Sequence, residues 1–221
     1  MVEGTKSVLE LLASDYQIQQ LLLSPGFLKH HHSQVSSYEG EITEVNATDL
    51  QGIGALKTNQ EALAVVACKP NQPLILQEQE YALALDRIRD PGNLGSIIRV
   101  ADWYGITKVI CSEDCAELYN PKVIQATVGS FTRVNTYYTD LEKYLDKKEH
   151  IYGAFMDGID VHQVKFGKSG VIVIGNESQG IAEYLGSKIN TRITIPRFGG
   201  AESLNAAAAS AVICDVLRSQ N

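Results

Sequence analysis

Two glycine-bearing loops in the last third of the chain carry polar side chains directly after short apolar strands. The first loop follows Val171–Ile174 and presents Asn176 and Glu177. The second carries Ser203 and Asn205 ahead of an alanine-rich stretch. In open α/β sheets, a strand that feeds a glycine turn and then a helix builds the crevice that holds a ligand. The two loops therefore predict a binding site for a small polar cofactor or substrate.

A third loop, Asp90–Gly95, joins another apolar strand to a helix and holds Asn93, which taken alone is typical of a helix N-cap. Arg99 follows within the apolar stretch Ile97–Ala101, where a free charge is costly to bury. Arg99 therefore either reaches solvent past its neighbours or faces a polar cleft with a partner carboxylate or phosphate. At about 100° per residue, Asn93 and Arg99 do not share a helix face. They converge only if Asn93 lies on the loop above the helix.

The second part of the chain alternates between apolar strands and amphipathic helices. We predict strands at 81–85, 108–111, 151–155, 171–174 and 193–195, and helices at 93–104, 139–145, 181–185 and 204–217. A further helix begins at Asn120 and Pro121, and Ser203 is the expected N-cap of the last helix. Strands separated by helices imply parallel pairing, with helices on both faces of the sheet.

The first part of the chain predicts a smaller α/β unit. We expect a helix at 7–12, strands at 20–23, 41–45 and 64–68, and a helix or turn at 48–56, weakened by two glycines. The polar segment Lys69–Pro73 contains two prolines and is typical of a linker. We therefore place one domain at residues 1–73 and a second at residues 74–221.

Composition and charge exclude several classes of protein. The 221 residues carry a net charge of −7, so there is no general attraction to nucleic acid or anionic membrane. All the arginines lie after residue 73, and arginine suits bidentate phosphate contacts. Any nucleic-acid binding is therefore expected to be local. The acidic start of the chain and the lack of a long apolar run favour no secretory signal, no membrane span and a cytoplasmic location.

The candidate metal ligands do not form a convincing set. Cys68, Cys111, Cys115 and Cys214 lack the paired spacings of a zinc site, so we expect buried, reduced thiols. The run His30–His32 has no nearby carboxylate or cysteine partner and is typical of a solvated loop. We expect no metal.

The three loops together resemble the three motifs of the SpoU (TrmH-type) branch of the SPOUT methyltransferases. The first motif corresponds to Asp90–Gly95 with Arg99 in the following helix. The second corresponds to Ile174, Gly175, Asn176 and Glu177 with Gly180. The third corresponds to Ile195 and Pro196 followed by Ser203, Leu204 and Asn205. The order and spacing fit residues 81–218, and residues 1–73 resemble, more loosely, a small ribosomal-protein-like domain that binds the substrate.

The resemblance implies a fold that periodicity alone does not predict. In this family the parallel-sheet domain is tied in a deep trefoil knot, an exception to the rule that chains are unknotted. The family transfers a methyl group from S-adenosylmethionine to a ribose 2′-hydroxyl of ribosomal or transfer RNA, and its members are homodimers packed through the knot. Residues expected to bind the cofactor are Ile174, Gly175, Asn176, Gly180, Ile195, Pro196, Ser203 and Leu204.

The same resemblance implies a reacting side lined by Asn93, Arg99, Glu177, Ser203 and Asn205. A guanidinium is a poor general base because its pKa exceeds about 12. We therefore expect Arg99 to hold an RNA phosphate and to stabilise negative charge on the 2′-oxygen, with Glu177 orienting Arg99. Ser203 or Asn205 would bond the hydroxyl or the ribose. Further contacts to RNA are expected from Arg87, Arg89, Arg133 and Arg197.

Two alternatives remain open at this point. A Rossmann-type oxidoreductase would need a G-x-G-x-x-G turn, which Asp90–Gly95 does not supply. The intact set of polar motif residues counts against a non-catalytic RNA-binding protein that keeps the fold, but the acidic composition leaves this alternative open.

Overall fold

The computed structural model describes residues 1–56, 58–146 and 148–220, and these ranges contain two β-sheets. The first sheet has the strand order β1-β4-β2-β3 and the second has the order β10-β8-β9-β5-β6-β7. The strands of the first sheet are β1 (Val2–Glu3), β2 (Ile18–Leu23), β3 (Ile42–Glu44) and β4 (Ala62–Val66). Those of the second sheet are β5 (Tyr81–Leu85), β6 (Lys108–Cys111), β7 (Asn135–Tyr138), β8 (Ile151–Asp160), β9 (Gly170–Ile174) and β10 (Thr191–Thr194).

Nine α-helices occur in the described ranges. They are α1 (Thr5–Leu12), α2 (Pro25–His30), α3 (His32–Val35), α4 (Ala47–Ile53), α5 (Pro91–Trp103), α6 (Pro121–Thr127), α7 (Leu141–Leu145), α8 (Glu183–Gly186) and α9 (Ala206–Ser219). Short 3₁₀ turns lie at Ser130–Thr132 and Val161–Gln163. None of the helices in the described part of the chain is long and apolar enough to cross a membrane.

The second sheet is parallel throughout, which confirms the α/β class predicted from the alternating pattern. Its central strands β5 and β9 are buried along their whole length, as expected for a parallel sheet covered by helices. Because all six strands run the same way, the loops that follow β5, β9 and β10 all leave the sheet at the carboxyl ends of the strands. We refer to this side of the sheet as the loop edge. This edge carries all three of the loops that the sequence analysis selected.

The two sheets lie on either side of the predicted linker, and one apolar cluster that includes the Tyr16 and Phe131 rings, 5.3 Å apart, joins the units that contain them. Polar contacts add to this cluster. Arg133 pairs with Glu10 of α1, and the Tyr16 and Tyr119 hydroxyl oxygens lie 3.4 Å apart. The backbone N–H of Lys69 donates to the Tyr119 hydroxyl at 2.8 Å. The domain boundary at residues 73 and 74 falls in the extended segment between the sheets and stays a prediction.

Most predicted elements are present, and the differences have local causes. Strand β7 has no counterpart in the prediction, because its burial is only partial and its sequence, Asn135–Tyr138, lacks an apolar alternation. Strand β8 continues five residues beyond its predicted end, since it pairs with β10 out to Asp160. The histidine run is exposed at His30 and His32, as predicted, but the prediction that it forms a loop is wrong. His30 ends α2 and His32 begins α3, and α2 starts at Pro25 behind the N-cap Ser24.

The cysteines also depart from the prediction at one position. Cys111, Cys115 and Cys214 are buried and free, as expected, but Cys68 is exposed because it lies between the end of β4 and the polar linker. Within the described ranges, no group of three histidine, cysteine or acidic side chains is placed to hold a metal ion.

Candidate active site

Helix α5 begins at Pro91, two residues before Asn93, and this placement determines what Asn93 can contact. Asp90 is the N-cap: its side chain accepts from the Asn93 backbone N–H at 2.8 Å, and Pro91 occupies the first helical position. Asn93 is therefore not the N-cap that its residue type alone suggests. Because Asp90 satisfies the helix terminus, the Asn93 side chain is available for contacts outside its own helix.

The Asn93 side chain bridges the other two loops. Its Nδ2 donates to Glu177 Oε1 at 2.5 Å, and its Oδ1 accepts from Asn205 Nδ2 at 2.7 Å. One hydrogen-bonded chain therefore joins the loops after β5, β9 and β10. We refer to Asn205, Asn93 and Glu177 as the amide–carboxylate chain. All three residues were predicted site residues, and their contact depends on the parallel sheet that places the loops side by side.

Helix α9 determines which residue donates and which accepts in the amide–carboxylate chain. Asn205 is the N-cap of α9, and its Oδ1 accepts from the backbone N–H groups of Ala207 and Ala208 at 2.9 and 3.3 Å. Its amide nitrogen must therefore point away from the helix and donate to Asn93, which in turn donates to Glu177. The prediction that Ser203 caps this helix is wrong, because α9 begins at Ala206 and the capping side chain is that of Asn205.

Arg99 and Ser203 lie apart from the amide–carboxylate chain. Arg99 is exposed, and within residues 1–56, 58–146 and 148–220 its guanidinium makes no hydrogen bond or ion pair. Six residues separate Arg99 from Asn93, which turns its side chain about 120° around the helix. The expectation that Glu177 orients Arg99 is therefore not met here, because Glu177 bonds Asn93 instead. Ser203 is exposed in the loop before α9.

A partly buried ion pair between Asp86, which was not predicted as a site residue, and Arg87, which was predicted to contact RNA, anchors the loop after β9. Asp86 is fully buried directly after β5, and its Oδ2 accepts from the Ala182 backbone N–H at 2.7 Å. The Arg87 guanidinium contacts the Asp86 carboxylate at 3.2 Å and donates to Gln179 Oε1 at 2.9 Å. Asn176 completes the anchor by donating to the Arg87 backbone carbonyl at 3.0 Å. An acidic residue directly after a fully apolar strand was the available sequence signal.

Arg87 adopts a backbone conformation that supports this anchor. Its φ is 56°, in the left-handed region that costs a side-chain-bearing residue on the order of 1 kcal/mol. Three sets of bonds hold it there: its N–H donates to Ser112 Oγ at 2.9 Å, its carbonyl accepts from Asn176, and its guanidinium is paired. The loops after β5 and β9 are thus joined rigidly at the edge of the sheet.

The glycines of the second motif have a role inside the protein. A Cβ on Gly175 would lie 2.3 Å from the backbone of Gly180 and Ile181, so only glycine permits this close approach. Gly180 has a φ of 66° and pairs with Asn176 through an isolated β-bridge. The loop therefore closes on itself tightly, and contact of these glycines with a cofactor stays a prediction.

The remaining residues predicted to bind a cofactor surround the same edge. Ile174 is buried at the end of β9, and Ile195 and Pro196 are half-buried after β10. Leu204 is 50% exposed ahead of α9. These side chains provide apolar surface beside the amide–carboxylate chain.

The four arginines predicted to contact RNA fall into two groups. Arg87 and Arg133 have carboxylate partners within the protein: Arg133 pairs with Asp102 at 2.8 Å and also with Glu10. Arg89 is exposed beside the Asp90 cap, and Arg197 is exposed with a single weak bond to the Ala201 carbonyl at 3.4 Å. Contact of any of these arginines with RNA stays a prediction.

The profile of the SpoU rRNA methylase family matches residues 80–215, which include all three loops. The parallel sheet and its loop edge therefore define a protein of the SpoU methylase class. The chain belongs to this family, as the motif resemblance predicted.

Individual relatives agree with this assignment. The chain is 28% identical to the 23S rRNA (guanosine(2553)-2′-O)-methyltransferase RlmP of Bacillus subtilis, over 98% of this chain and 91% of that protein. It is similar to the crystal structure of a putative TrmH-family RNA methyltransferase from Porphyromonas gingivalis, with 30% identity and a TM-score of 0.84 over 100% of this chain and 89% of that one. It is also similar to an AdoMet-bound rRNA methyltransferase from Sinorhizobium meliloti, with 26% identity and a TM-score of 0.85 over 99% and 86%.

Proposed function

We propose that this protein transfers a methyl group from S-adenosylmethionine to a ribose 2′-hydroxyl of ribosomal or transfer RNA. The observation that carries the proposal is the amide–carboxylate chain, which joins all three family motifs at one edge of the sheet. Membership of the SpoU family and the similarity to a 2′-O-methyltransferase of 23S rRNA support the same reaction.

The residues at this edge fit the proposed cofactor. An adenosine moiety needs apolar walls and a few backbone donors and acceptors. Ile195, Pro196 and Leu204 supply apolar surface, and the loops at 175–180 and 196–204 supply backbone groups. When bound, S-adenosylmethionine supplies an electrophilic methyl group on a sulfonium, a chemistry that needs no metal.

The protein's own residues must position the ribose 2′-hydroxyl and assist the loss of its proton. Positioning of two reactants supplies much of the acceleration in such a displacement. The amide–carboxylate chain holds Glu177 in one orientation, with its negative charge beside the place where the hydroxyl would lie. Ser203, which is exposed, would bond the ribose. Arg99 would contact an RNA phosphate and stabilise negative charge on the attacking oxygen.

RNA binding would combine the exposed arginines with the first sheet. Arg89 and Arg197 remain open to solvent on the loop edge, whereas Arg87 and Arg133 are engaged by carboxylates. Residues 1–73 would then form the small ribosomal-protein-like domain that binds the substrate. The acidic surface favours selective over general binding to RNA. The proposed location remains the cytoplasm.

We infer that the second domain contains the deep trefoil knot of its family. The topology supports this inference, because β10 lies at the edge of the sheet beyond β8, while α9 packs against α5, which follows the central strand β5. The chain after β10 must therefore cross back over the neighbouring strands. A crystal structure traced through residues 170–220 tests the inference, and an unknotted path would contradict it.

We further propose a homodimer formed through α5 and α9. Trp103, the only tryptophan, is 84% exposed on α5 at i+4 from Arg99, which is an unusual exposure for so large an apolar side chain. A second copy would cover it. Light scattering should give twice the chain mass, and Trp103→Glu should give a monomer. A monomeric wild-type protein would refute the dimer.

A methylation assay tests the function directly. Purified protein, S-adenosylmethionine and total RNA should yield new 2′-O-methyl nucleotides, which can be mapped by comparing RNA from cells with and without the gene. Binding of S-adenosylmethionine and S-adenosylhomocysteine but not NAD would exclude the oxidoreductase. RNA binding without any methyl transfer would instead favour the non-catalytic alternative.

A further inference from the structure

An aromatic ring that the proposed reaction does not use stands in solvent in the loop between β10 and α9. Phe198 is 98% exposed, although phenylalanine is among the residue types most often buried in folded proteins. Ile195, three residues earlier, packs against the main apolar core. The chain therefore leaves the body of the protein between these two positions and holds the Phe198 ring in water.

The ring lies near the loop edge and has open space around it. Three residues of chain span at most about 10 Å, so Phe198 stays within about 10 Å of Ile195 at the end of β10. A Cβ placed on Gly199 or Gly200 would meet no atom of the described, non-neighbouring residues within 4 Å. A flat group can therefore approach this part of the loop without displacing the protein.

The loop is basic, in contrast to the acidic protein as a whole. Residues 184–201 contain three basic residues and no aspartate or glutamate, although the net charge of the chain is −7. Lys188 and Arg192 are already paired with aspartates. Within the described part of the chain, Arg197 has no carboxylate partner, and its one hydrogen bond, to the Ala201 carbonyl, is long at 3.4 Å. An unpaired cation therefore directly precedes the exposed ring.

An exposed ring beside an unpaired guanidinium matches the two parts of a nucleotide. Nucleobases stack on aromatic side chains, and arginine suits phosphate. The Cα atoms of Arg197 and Phe198 are about 3.8 Å apart, so one stretch of a nucleic-acid strand can reach both. A second copy of the protein is a weaker match, because the proposed dimer uses α5 and α9 and the net negative charge offers Arg197 no reason to be adjacent to the ring.

We propose that Phe198 is a stacking platform for an unpaired nucleobase of the substrate RNA, with Arg197 on a neighbouring phosphate. Bases in a duplex stack on one another, so only an unpaired base can lie on the ring. The phenyl ring has no hydrogen-bonding atom and does not distinguish one base from another. The contact would hold an unpaired strand beside the amide–carboxylate chain. This inference rests on the proposed function, since it takes the methyl acceptor to be RNA that is unpaired near the target ribose.

Binding of a short RNA tests the platform. The probe is a fluorescein-labelled 12-nucleotide oligouridylate, followed by anisotropy. Phe198→Ala should weaken its binding by about tenfold, whereas Phe198→Tyr, which keeps an aromatic ring, should stay within about twofold of wild type. Ile75→Ala is the matched control, because Ile75 is also a strongly exposed apolar residue. The same strand paired with oligoadenylate should bind wild type and Phe198→Ala equally.

Two further measurements separate stacking from charge. Arg197→Ala should reduce the slope of log affinity against log salt by about 0.7, the value for one phosphate of a single strand, whereas Phe198→Ala should leave the slope unchanged. In Phe198→Trp, oligouridylate should quench the added tryptophan, and wild type, whose single tryptophan is Trp103, gives the background. Equal affinity of wild type and Phe198→Ala, no binding by wild type, or no added quenching would overturn the proposal.

Methyl transfer to total RNA distinguishes this inference from the proposed function. Phe198→Ala should raise the half-saturating RNA concentration by about tenfold and leave kcat and the affinity for S-adenosylmethionine unchanged. Methylation by wild type with the same half-saturation in Phe198→Ala would overturn the platform alone. Oligouridylate binding that depends on Phe198, without any methyl transfer, would overturn the proposed function alone. A lower mass of Phe198→Ala in light scattering, with unchanged binding of oligouridylate, would assign the ring to an interface between copies and overturn the platform.

Discussion

Asn205 donates a hydrogen bond to Asn93 across 112 positions of sequence, with 2.7 Å between Asn205 Nδ2 and Asn93 Oδ1. The same Asn205 side chain caps α9 through its other atom, Oδ1. A single amide therefore begins the last helix and links it to the helix that follows the first motif. Substitutions of Asn205 can therefore remove the bond to Asn93 either with or without removing the cap of α9.

Asn205→Asp and Asn205→Ala should differ in stability but share a loss of activity. Aspartate still accepts from the Ala207 and Ala208 N–H groups, whereas alanine loses the cap, so only Asn205→Ala should lower the free energy of unfolding, by about 1 kcal/mol. Both lose the donor to Asn93, and we expect methyl transfer to fall at least about tenfold in each. Urea unfolding and single-turnover methylation measure the two effects. Full activity of Asn205→Asp would contradict a role for the bond to Asn93.

Glu177→Gln tests the charge at the end of the amide–carboxylate chain. Glutamine keeps an oxygen that accepts from Asn93, so the fold and the binding of S-adenosylmethionine should persist. If the negative charge assists the loss of the hydroxyl proton, the rate constant kcat should fall by on the order of 10² to 10⁴. The exposed Glu202→Gln is the matched control and should behave as wild type. A normal kcat for Glu177→Gln would show that Glu177 acts through its hydrogen bond alone.

Asp86→Ala should be among the most destabilising substitutions in the second domain. It leaves Arg87 without its buried partner and the Ala182 N–H without its acceptor. Leaving the buried Ala182 N–H without an acceptor costs about 1 to 3 kcal/mol. Chemical denaturation should show this loss, together with weaker cofactor binding, because the loop after β9 loses its anchor. Arg89→Ala, an exposed change two residues beyond Arg87, should leave stability within about 0.5 kcal/mol. A stable Asp86→Ala protein would contradict the anchor.

Arg133→Gln should change the dependence of stability on acid pH. Burial is the largest influence on the pKa of Asp102 and raises it, but the hydrogen bonds from Arg133 and Ser130, together with the positive charges of Arg133 and Lys6, hold that pKa below its ordinary value. A carboxyl group with a lowered folded-state pKa stabilises the protein above its unfolded-state pKa, and this contribution is lost as pH falls through the folded-state value. At pH 7, Arg133→Gln should therefore lower the free energy of unfolding by up to about 1 kcal/mol.

The difference from wild type should shrink below about pH 4, where Asp102 becomes protonated in the unfolded chain. Denaturation curves between pH 7 and pH 2.5 measure this difference. Asp102→Asn already lacks the carboxylate charge. In that background, the effect of Arg133→Gln on the free energy of unfolding should therefore lose most of its dependence on pH. A difference that stays constant across this range would contradict a stabilising role for the charge of Arg133, because its carboxylate partners Asp102 and Glu10 both protonate within it.

Local patterns predicted the elements well where the pattern was strong. The fully apolar strand β5 and the proline-initiated helix α6 lie where the sequence analysis placed them. Strand β7 was missed because its four residues, half-buried at the edge of the sheet, show neither an apolar run nor an alternation. The helix at His32 was missed because polar residues of low helix propensity depend on the tertiary contact of Val35 for their helical state.

The amino-acid sequence by itself determined the family, the parallel α/β architecture and the identity of the polar residues on the three loops, because motif spacing and apolar periodicity are local properties of the chain. Only the tertiary structure decided which of those residues meet. It joined Asn93 to Glu177 and Asn205, turned Arg99 away from them, and used Asp86 and Arg87 to hold the loops. Contacts between residues about a hundred positions apart depend on strand order and helix phase, and these are settled only when the whole sheet packs.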